Sequence, residues 1–185
     1  MAYVKSSIPR PGDGAGCAAT RKSQIILVDV EDVASEPTRE VGNCVVTGDL
    51  TLKTGAKAIS IYATASTIQV TEELSGDPDA EGIKTGIVFD HPGNSVAIKN
   101  FIEIFKNRGV IAIVQECDGT TAGRPQIMGR VCNPLRLSLE TKMDGEATKR
   151  TLIWKQALPD KFLAGEYAGE MPEIAEDATS ATGGA

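Results

Sequence analysis

The feature that most constrains this fold is a pair of segments in which apolar and polar residues alternate, on either side of a turn. Together they form the sequence LRLSLETKMDGEATKRTLIWKQ at residues 135–156. Leu135, Leu137 and Leu139 alternate with polar residues, and Leu152 and Trp154 repeat that spacing after the Asp-Gly turn. Because successive residues of a strand point to opposite faces, the pattern predicts a hairpin with one buried and one polar face. Nothing within the stretch is typical of an active site.

A second, longer hairpin is predicted between residues 59 and 89, on either side of the acidic segment SGDPDAEG. Ile68, Val70 and Leu74 alternate with polar residues, and the apolar pattern resumes at Ile83. The polar face of its first strand consists of Thr67, Gln69, Thr71 and Glu73. The tip of the hairpin carries Asp77, Asp79 and Glu81.

One α-helix is predicted at about residues 94–107, with Asn94 or Ser95 as the N-cap and apolar residues at helical spacing. The next run, residues 110–114, is apolar on both faces, which predicts a central strand. Because strands outnumber helices and do not alternate with them, a doubly wound sheet is disfavoured. We expect a mainly β fold, an antiparallel β-sandwich or small barrel with one packed α-helix.

The ends of the chain differ in composition from its middle. Residues 1–24 lack periodicity and predict a flexible N-terminal arm, residues 25–163 a single domain, and residues 164–185 a flexible acidic tail. Of the formal charge of -6, about -5 falls from Pro159 onward, which argues against bulk basic binding of nucleic acid. No apolar run is long enough for a signal peptide or a membrane span, so we expect no membrane partner and a cytoplasmic location at first.

Residues able to perform chemistry are few. The four cysteines form no CxxC pair, which favours small core residues over a zinc or redox site. The single histidine, His91, follows Asp90, but no nucleophile motif accompanies it. The segment GDPDAEG could bind calcium through oxygen atoms, although a solvated loop is the favoured interpretation. We therefore predict that the chain is not an enzyme and uses no cofactor.

Residues 83–163 contain FIEIFKNRGVIAIVQECDG and, further on, GRVCNPLRLSLETKMDGEATKRTLIWKQ. In this part the chain resembles the tail tube-type (major tail) structural proteins of tailed bacteriophages and related Bacteroidetes prophage elements. The element NPLRLS is the most specific part of the resemblance. The N-terminal half resembles the family only in the arrangement of its predicted elements. The resemblance implies a β-sandwich with a flanking helix that assembles with itself.

The family resemblance implies hexameric rings that stack into a hollow tube, with DNA passing through the lumen without sequence-specific binding. It implies further contacts with other tail or neck proteins, a place in the virion tail, and assembly in the host cytoplasm. Thr67, Gln69, Thr71 and Glu73 would then be lumen-facing, and Asp77, Asp79 and Glu81 would form an inter-subunit loop. The alternatives are a decoration, tail-completion or baseplate protein, an injection-system tube subunit, or a monomeric ligand-binding domain or enzyme.

Overall fold

The computed structural model describes residues 7–9, 20–40, 42–117, 124–143 and 148–176. It contains one α-helix, α1 (Val96–Phe105), and short 3-10 helices at Val30–Asp32 and Ala65–Thr67. The strands are β1 (Arg21–Asp29), β2 (Val33–Ser35), β3 (Val45–Val46), β4 (Thr51–Leu52), β5 (Ile59–Tyr62), β6 (Gln69–Ser75), β7 (Gly82–Pro92), β8 (Gly109–Glu116), β9 (Gln126–Met128), β10 (Leu135–Met143), β11 (Thr148–Gln156) and β12 (Gly165–Tyr167). The predicted fold class, mainly β with one packed helix, is confirmed.

Strands β1 and β8 form the central wall of the molecule. They pair in antiparallel fashion from Arg21↔Glu116 to Asp29↔Val110. Both faces of this wall are buried, because alternate residues of β1 and of β8 belong to two separate apolar clusters. The prediction that residues 110–114 form a central strand is therefore confirmed.

Both predicted hairpins are present and lie next to each other. The order of pairing from the wall outward is β8, β10, β11, β7 and β6. The sheet curls so that the end of β7 returns to the segment after β5, where the Thr64 amide donates to the Asp90 carbonyl at 3.0 Å. Such a curl encloses a core, as in the predicted sandwich or small barrel.

The first apolar cluster fills the inside of this curl, and α1 packs against it. Trp154 and Phe105 meet edge to face with ring centroids 6.3 Å apart. The Ser95 hydroxyl accepts from the Ile98 amide and caps the helix, which is one of the two predicted caps. The helix is slightly shorter than the predicted range of about 94–107, and β8 already begins at Gly109. Glycine is needed at that position because an added Cβ would lie 2.5 Å from Cγ of Pro134.

The second apolar cluster lies on the other side of the wall and includes residues that were predicted to be a tail. Strand β12 pairs with β9 and, in parallel, with β3. The Tyr167 hydroxyl accepts from the Leu50 amide at 2.8 Å and donates to the Glu170 carbonyl at 2.7 Å. Ile174 makes a parallel bridge with Ala58.

The structure therefore differs from the predicted domain limits of 25–163. The prediction of a flexible tail from residue 164 does not hold for residues 165–174, because Tyr167 and Ile174 pack into the second cluster. At the other end, β1 begins at Arg21 instead of residue 25. Most of the predicted arm and residues 177–185 of the predicted tail lie outside the described residues.

Two further expectations from the sequence are wrong. Leu74 and Leu139 were assigned to buried hairpin faces but are 67% and 38% exposed, because the hairpins extend beyond the core that they cover. Cys44, Cys117 and Cys132 are exposed free thiols rather than core residues, and Cys17 lies outside the described residues. In the described part of the chain, no helix combines the length and apolarity needed to span a bilayer.

Candidate assembly surfaces

The two adjacent hairpins share one polar surface, which we call the outer face. The pairing registers place Ser138, Ile153, Val88 and Gln69 in one row across the four strands. The residues between them, such as Trp154 and Ile87, point the opposite way into the first cluster. The charged residues of the outer face whose side chains the structure describes are Lys84, Arg136, Lys149, Lys155, Glu73, Asp90 and Glu140.

The structure brings together three of the four residues that were predicted to line a lumen. Gln69, Thr71 and Glu73 alternate along β6 on the outer face, opposite Val88, Gly86 and Lys84 of β7. Thr67 does not belong to this strand. It lies in the preceding 3-10 helix, where its hydroxyl accepts from the Asp90 amide at 3.0 Å and donates to the Thr64 carbonyl at 2.8 Å.

Strand β6 is the last strand of the sheet, and no strand of the described residues pairs with its outer edge. Among the described residues, β6 pairs with β7 alone. The pairing covers the full length of β6, from Gln69↔Val88 to Ser75↔Gly82. One glutamate of this strand is engaged locally, since Glu72 accepts from the Ala164 amide at 2.7 Å. An edge of this length presents a row of free backbone donors and acceptors to a strand from another chain.

The acidic tip of the β6–β7 hairpin carries the predicted inter-subunit residues Asp77, Asp79 and Glu81, all of which are exposed. The turn is closed by a bond from the Ala80 amide to the Asp77 carbonyl at 2.9 Å. Asp79 adopts a left-handed conformation with φ of 68°, which aspartate tolerates better than most residues. The three carboxylates thus project into solvent from a defined turn.

Asp90 and His91 do not form a catalytic pair, because neighbouring strand residues point to opposite faces. Asp90 accepts from Lys149 and Thr151 on the outer face, each at 2.6 Å. Burial raises the pKa of the Asp90 carboxyl, but these two hydrogen bonds outweigh burial and leave the pKa below its ordinary value of 3.8. His91 instead places Nδ1 2.9 Å from the Tyr62 carbonyl.

A small cavity of about 70 Å³ lies beside the ring of Phe162. Arg39 and Arg130 stack on this ring, at 4.9 Å and 5.3 Å from its centroid. Of the polar groups lining the cavity, Gln156 is already bonded to Thr85 and Glu36 to the Val131 amide. Because ligand pockets usually enclose roughly 300–1,000 Å³, this cavity fits a structural role better than ligand binding.

A larger space, about 430 Å³, lies between β5 and α1, and we call it the β5–α1 groove. Its walls are mainly apolar and include Ile59, Ile61, Tyr62, Ala97 and Phe101. His91 and Ser95 lie along it, and Ala175 and Glu176 also line it. Since these residues come from three distant parts of the sequence (59–62, 91–101 and 175–176), no local pattern could have predicted the groove.

The described residues contain no group of three or more His, Cys, Asp or Glu side chains that could hold a metal ion. The carboxylates of the acidic tip therefore do not converge on a common point. Comparison of the chain with protein-family models, with curated proteins and with solved structures finds no match.

Proposed function

We propose that this protein is a structural virion protein, the tail tube subunit whose copies assemble into stacked hexameric rings around a hollow conduit for DNA. The proposal starts from the resemblance of residues 83–163 to tail tube-type proteins. The observation that carries it is the outer face, a polar surface across four strands that ends at β6, whose outer edge pairs with no strand of the described residues.

The free edge of β6 gives the proposed assembly a physical basis. Its seven residues span roughly 23 Å at about 3.3 Å per residue, which is long enough for several backbone hydrogen bonds. A strand of a neighbouring copy paired there would extend the sheet across the subunit boundary. The polar faces of the two copies would then form one continuous wall.

The charges of the outer face suit a wall along which DNA moves. Among the side chains that the structure describes on this face, four are cationic (Lys84, Arg136, Lys149 and Lys155) and three are carboxylates (Glu73, Asp90 and Glu140). Because carboxylates repel phosphates, a surface that carries both signs of charge binds a duplex more weakly than a uniformly basic surface. Gln69 and Thr71 add uncharged polar groups, which stay hydrated and do not distinguish one DNA sequence from another.

The acidic tip would make a second contact between copies. Asp77, Asp79 and Glu81 are exposed and have no cationic partner among the described residues. A basic patch on a neighbouring subunit, or on another tail or neck protein, would complement them. In this proposal the subunits assemble in the host cytoplasm and act in the virion tail.

The test is negative-stain electron microscopy of the purified chain over a range of concentrations, with light scattering on the same samples. We expect rings or hollow filaments that become more abundant as concentration rises. A sample that stays monomeric throughout would contradict self-assembly. Binding to preformed capsids without rings would instead identify a decoration protein.

Proline substitutions can test whether the β6 edge carries the assembly. Proline removes a backbone N–H, and the N–H groups of adjacent residues point alternately to β7 and to the free edge. The Ile83 backbone bonds to Asp160 rather than to β6, so its partner Leu74 directs its N–H to the free edge and the neighbouring Glu73 directs its N–H to β7. Glu73→Pro should therefore weaken the hairpin, and Leu74→Pro should block the free edge. We expect the variant that keeps the native circular dichroism spectrum to lose ring formation, and assembly of that variant at wild-type concentrations would overturn the role of β6.

A further inference from the structure

The β5–α1 groove has backbone groups of β5 along one side. Strand β5 pairs with β1 along its other edge. Just before β5, the Ala58 amide donates to the Glu173 carbonyl and the Ala58 carbonyl accepts from the Ala175 amide, both at 2.8 Å. Because the backbone groups of a strand alternate between its two edges, those of Ser60 and Tyr62 point away from β1 like those of Ala58. Ser60 and Tyr62 both line the groove.

This edge of β5 is occupied at both ends and free in the middle. At its start, both backbone groups of Ala58 are bonded. At its end, the Tyr62 carbonyl accepts from Nδ1 of His91 at 2.9 Å. Between these contacts, the Ser60 N–H, the Ser60 carbonyl and the Tyr62 N–H have no hydrogen-bond partner among the described residues. A stretch of two residues spans roughly 7 Å at about 3.3 Å per residue, which is shorter than an ordinary strand but matches a small ring system.

The walls of the groove suit a flat and uncharged ring. The side chain of Ile61 belongs to the first cluster, so that of Tyr62 points to the opposite face of the strand. Phe101 of α1 packs against the first cluster and also lines the groove. A ring that continued the plane of β5 would therefore lie between two aromatic side chains. The described side chains that line the groove include one carboxylate, Glu176, and no lysine or arginine, which disfavours an anionic ligand.

The free backbone groups also specify a hydrogen-bonding pattern. The Ser60 carbonyl can accept and the Tyr62 amide can donate, and the two are neighbours on the edge. A ligand that satisfies both must carry a donor beside an acceptor in one plane. Adenine has this arrangement, because its amino group donates next to a ring nitrogen that accepts. Proteins read unpaired bases in this way, through hydrogen bonds to the same edge and stacking on aromatic side chains.

We propose that the β5–α1 groove binds a nucleobase of the adenine type, an uncharged planar heterocycle with an amino group next to a ring nitrogen. The Ser60 carbonyl accepts from the amino group and the Tyr62 amide donates to the ring nitrogen, while Tyr62 and Phe101 flank the ring. The volume of about 430 Å³ lies within the range of roughly 300–1,000 Å³ that is usual for small-molecule sites. This inference goes beyond the proposed tube function and does not depend on it.

Titration of the isotope-labelled full chain with adenine, followed by NMR under conditions where the chain is monomeric, tests the proposal. We expect saturable shifts of the Ser60 and Tyr62 amide signals. Adenine methylated twice on its amino nitrogen is the matched probe, because it keeps the ring and the acceptor but has no amino hydrogen to donate. It should bind at least about tenfold more weakly. The absence of saturable shifts with adenine, or equal affinities for the two compounds, would contradict the proposal.

Two substitutions on α1 show whether the response comes from the groove. Ala97→Arg places a large side chain in the groove and should abolish adenine binding. Lys99→Arg is the control and should bind like the wild type, because Lys99 is exposed on the same helix and does not line the groove. Wild-type affinity in Ala97→Arg would place the base elsewhere and exclude this site. A tri-alanine peptide with blocked ends that bound more tightly than adenine would identify a strand-addition site instead and refute the assigned ligand.

Discussion

The central wall and the two outer hairpins follow the same alternation of side chains but use it differently. In β1 and β8 both sets of alternate residues are apolar and each set enters its own cluster. In β6, β7, β10 and β11 one set enters the first cluster and the other forms the outer face. The comparison shows that both faces of the wall contribute to the stability of the fold, whereas one face of the hairpins remains exposed and can contact other molecules.

The largest expected effect lies within a single strand of the hairpins. Trp154 is fully buried against Phe105, so Trp154→Ala should lower the free energy of unfolding by about 3–5 kcal/mol. Ile153 is on the outer face of the same strand, and Ile153→Ala should cost less than about 1.5 kcal/mol. Urea denaturation measures both, with far-ultraviolet circular dichroism as the signal because one variant lacks the tryptophan. Equal losses of unfolding free energy would show that the outer face is buried in the subunit.

In the wall, neighbouring positions should not differ in this way. Ile25 and Ile26 point to opposite faces of β1 and are 0% and 3% exposed. Each substitution to alanine should cost about 2–5 kcal/mol, because each leaves a cavity in one of the two clusters. Denaturation of both variants checks this, and a small loss for Ile26→Ala would mean that the second cluster contributes little to stability.

The smallest expected effect concerns pH and the outer face. The pKa of Asp90 lies below 3.8 in the folded chain because of the bonds from Lys149 and Thr151, so its contribution is present above that value. The contribution should disappear as the pH falls below 3.8 and through the folded pKa. Thr151→Val removes one of the two bonds, and it should lower stability at neutral pH but have less effect in acid, as measured by urea denaturation at both pH values.

Regular elements with strong periodicity could be predicted from the sequence. The two hairpins and the helix capped by Ser95 have apolar spacings that suit one kind of structure, whereas the continuous apolar run of β8 is identified as a strand by its short length and its β-branched residues. Strands β3 and β12 have two and three residues, which is too short for a period to be recognised. Tyr167 and Ile174 stand alone among polar and small residues, so their burial depends on long-range packing that no local pattern reveals.

The candidate surfaces were predictable only in part. The alternation along β6 identified Gln69, Thr71 and Glu73 as neighbours on one face, because a strand places every second residue together. Thr67 was assigned to the same strand since the alternation continues through it, but a 3-10 turn comes first. The partners of this face on β10 and β11, and the free edge itself, follow from the strand order, which the sequence does not specify.

Three exposed free thiols in the described part of the chain allow its surface to be labelled chemically. Cys44 precedes β3, Cys117 follows β8 and Cys132 precedes β10, so the three sulfhydryl groups report on different parts of the molecule. An alkylating reagent would modify all three in a free subunit. Whichever of them became unreactive in a larger particle would map the area covered by neighbouring copies, without any change to the amino-acid sequence.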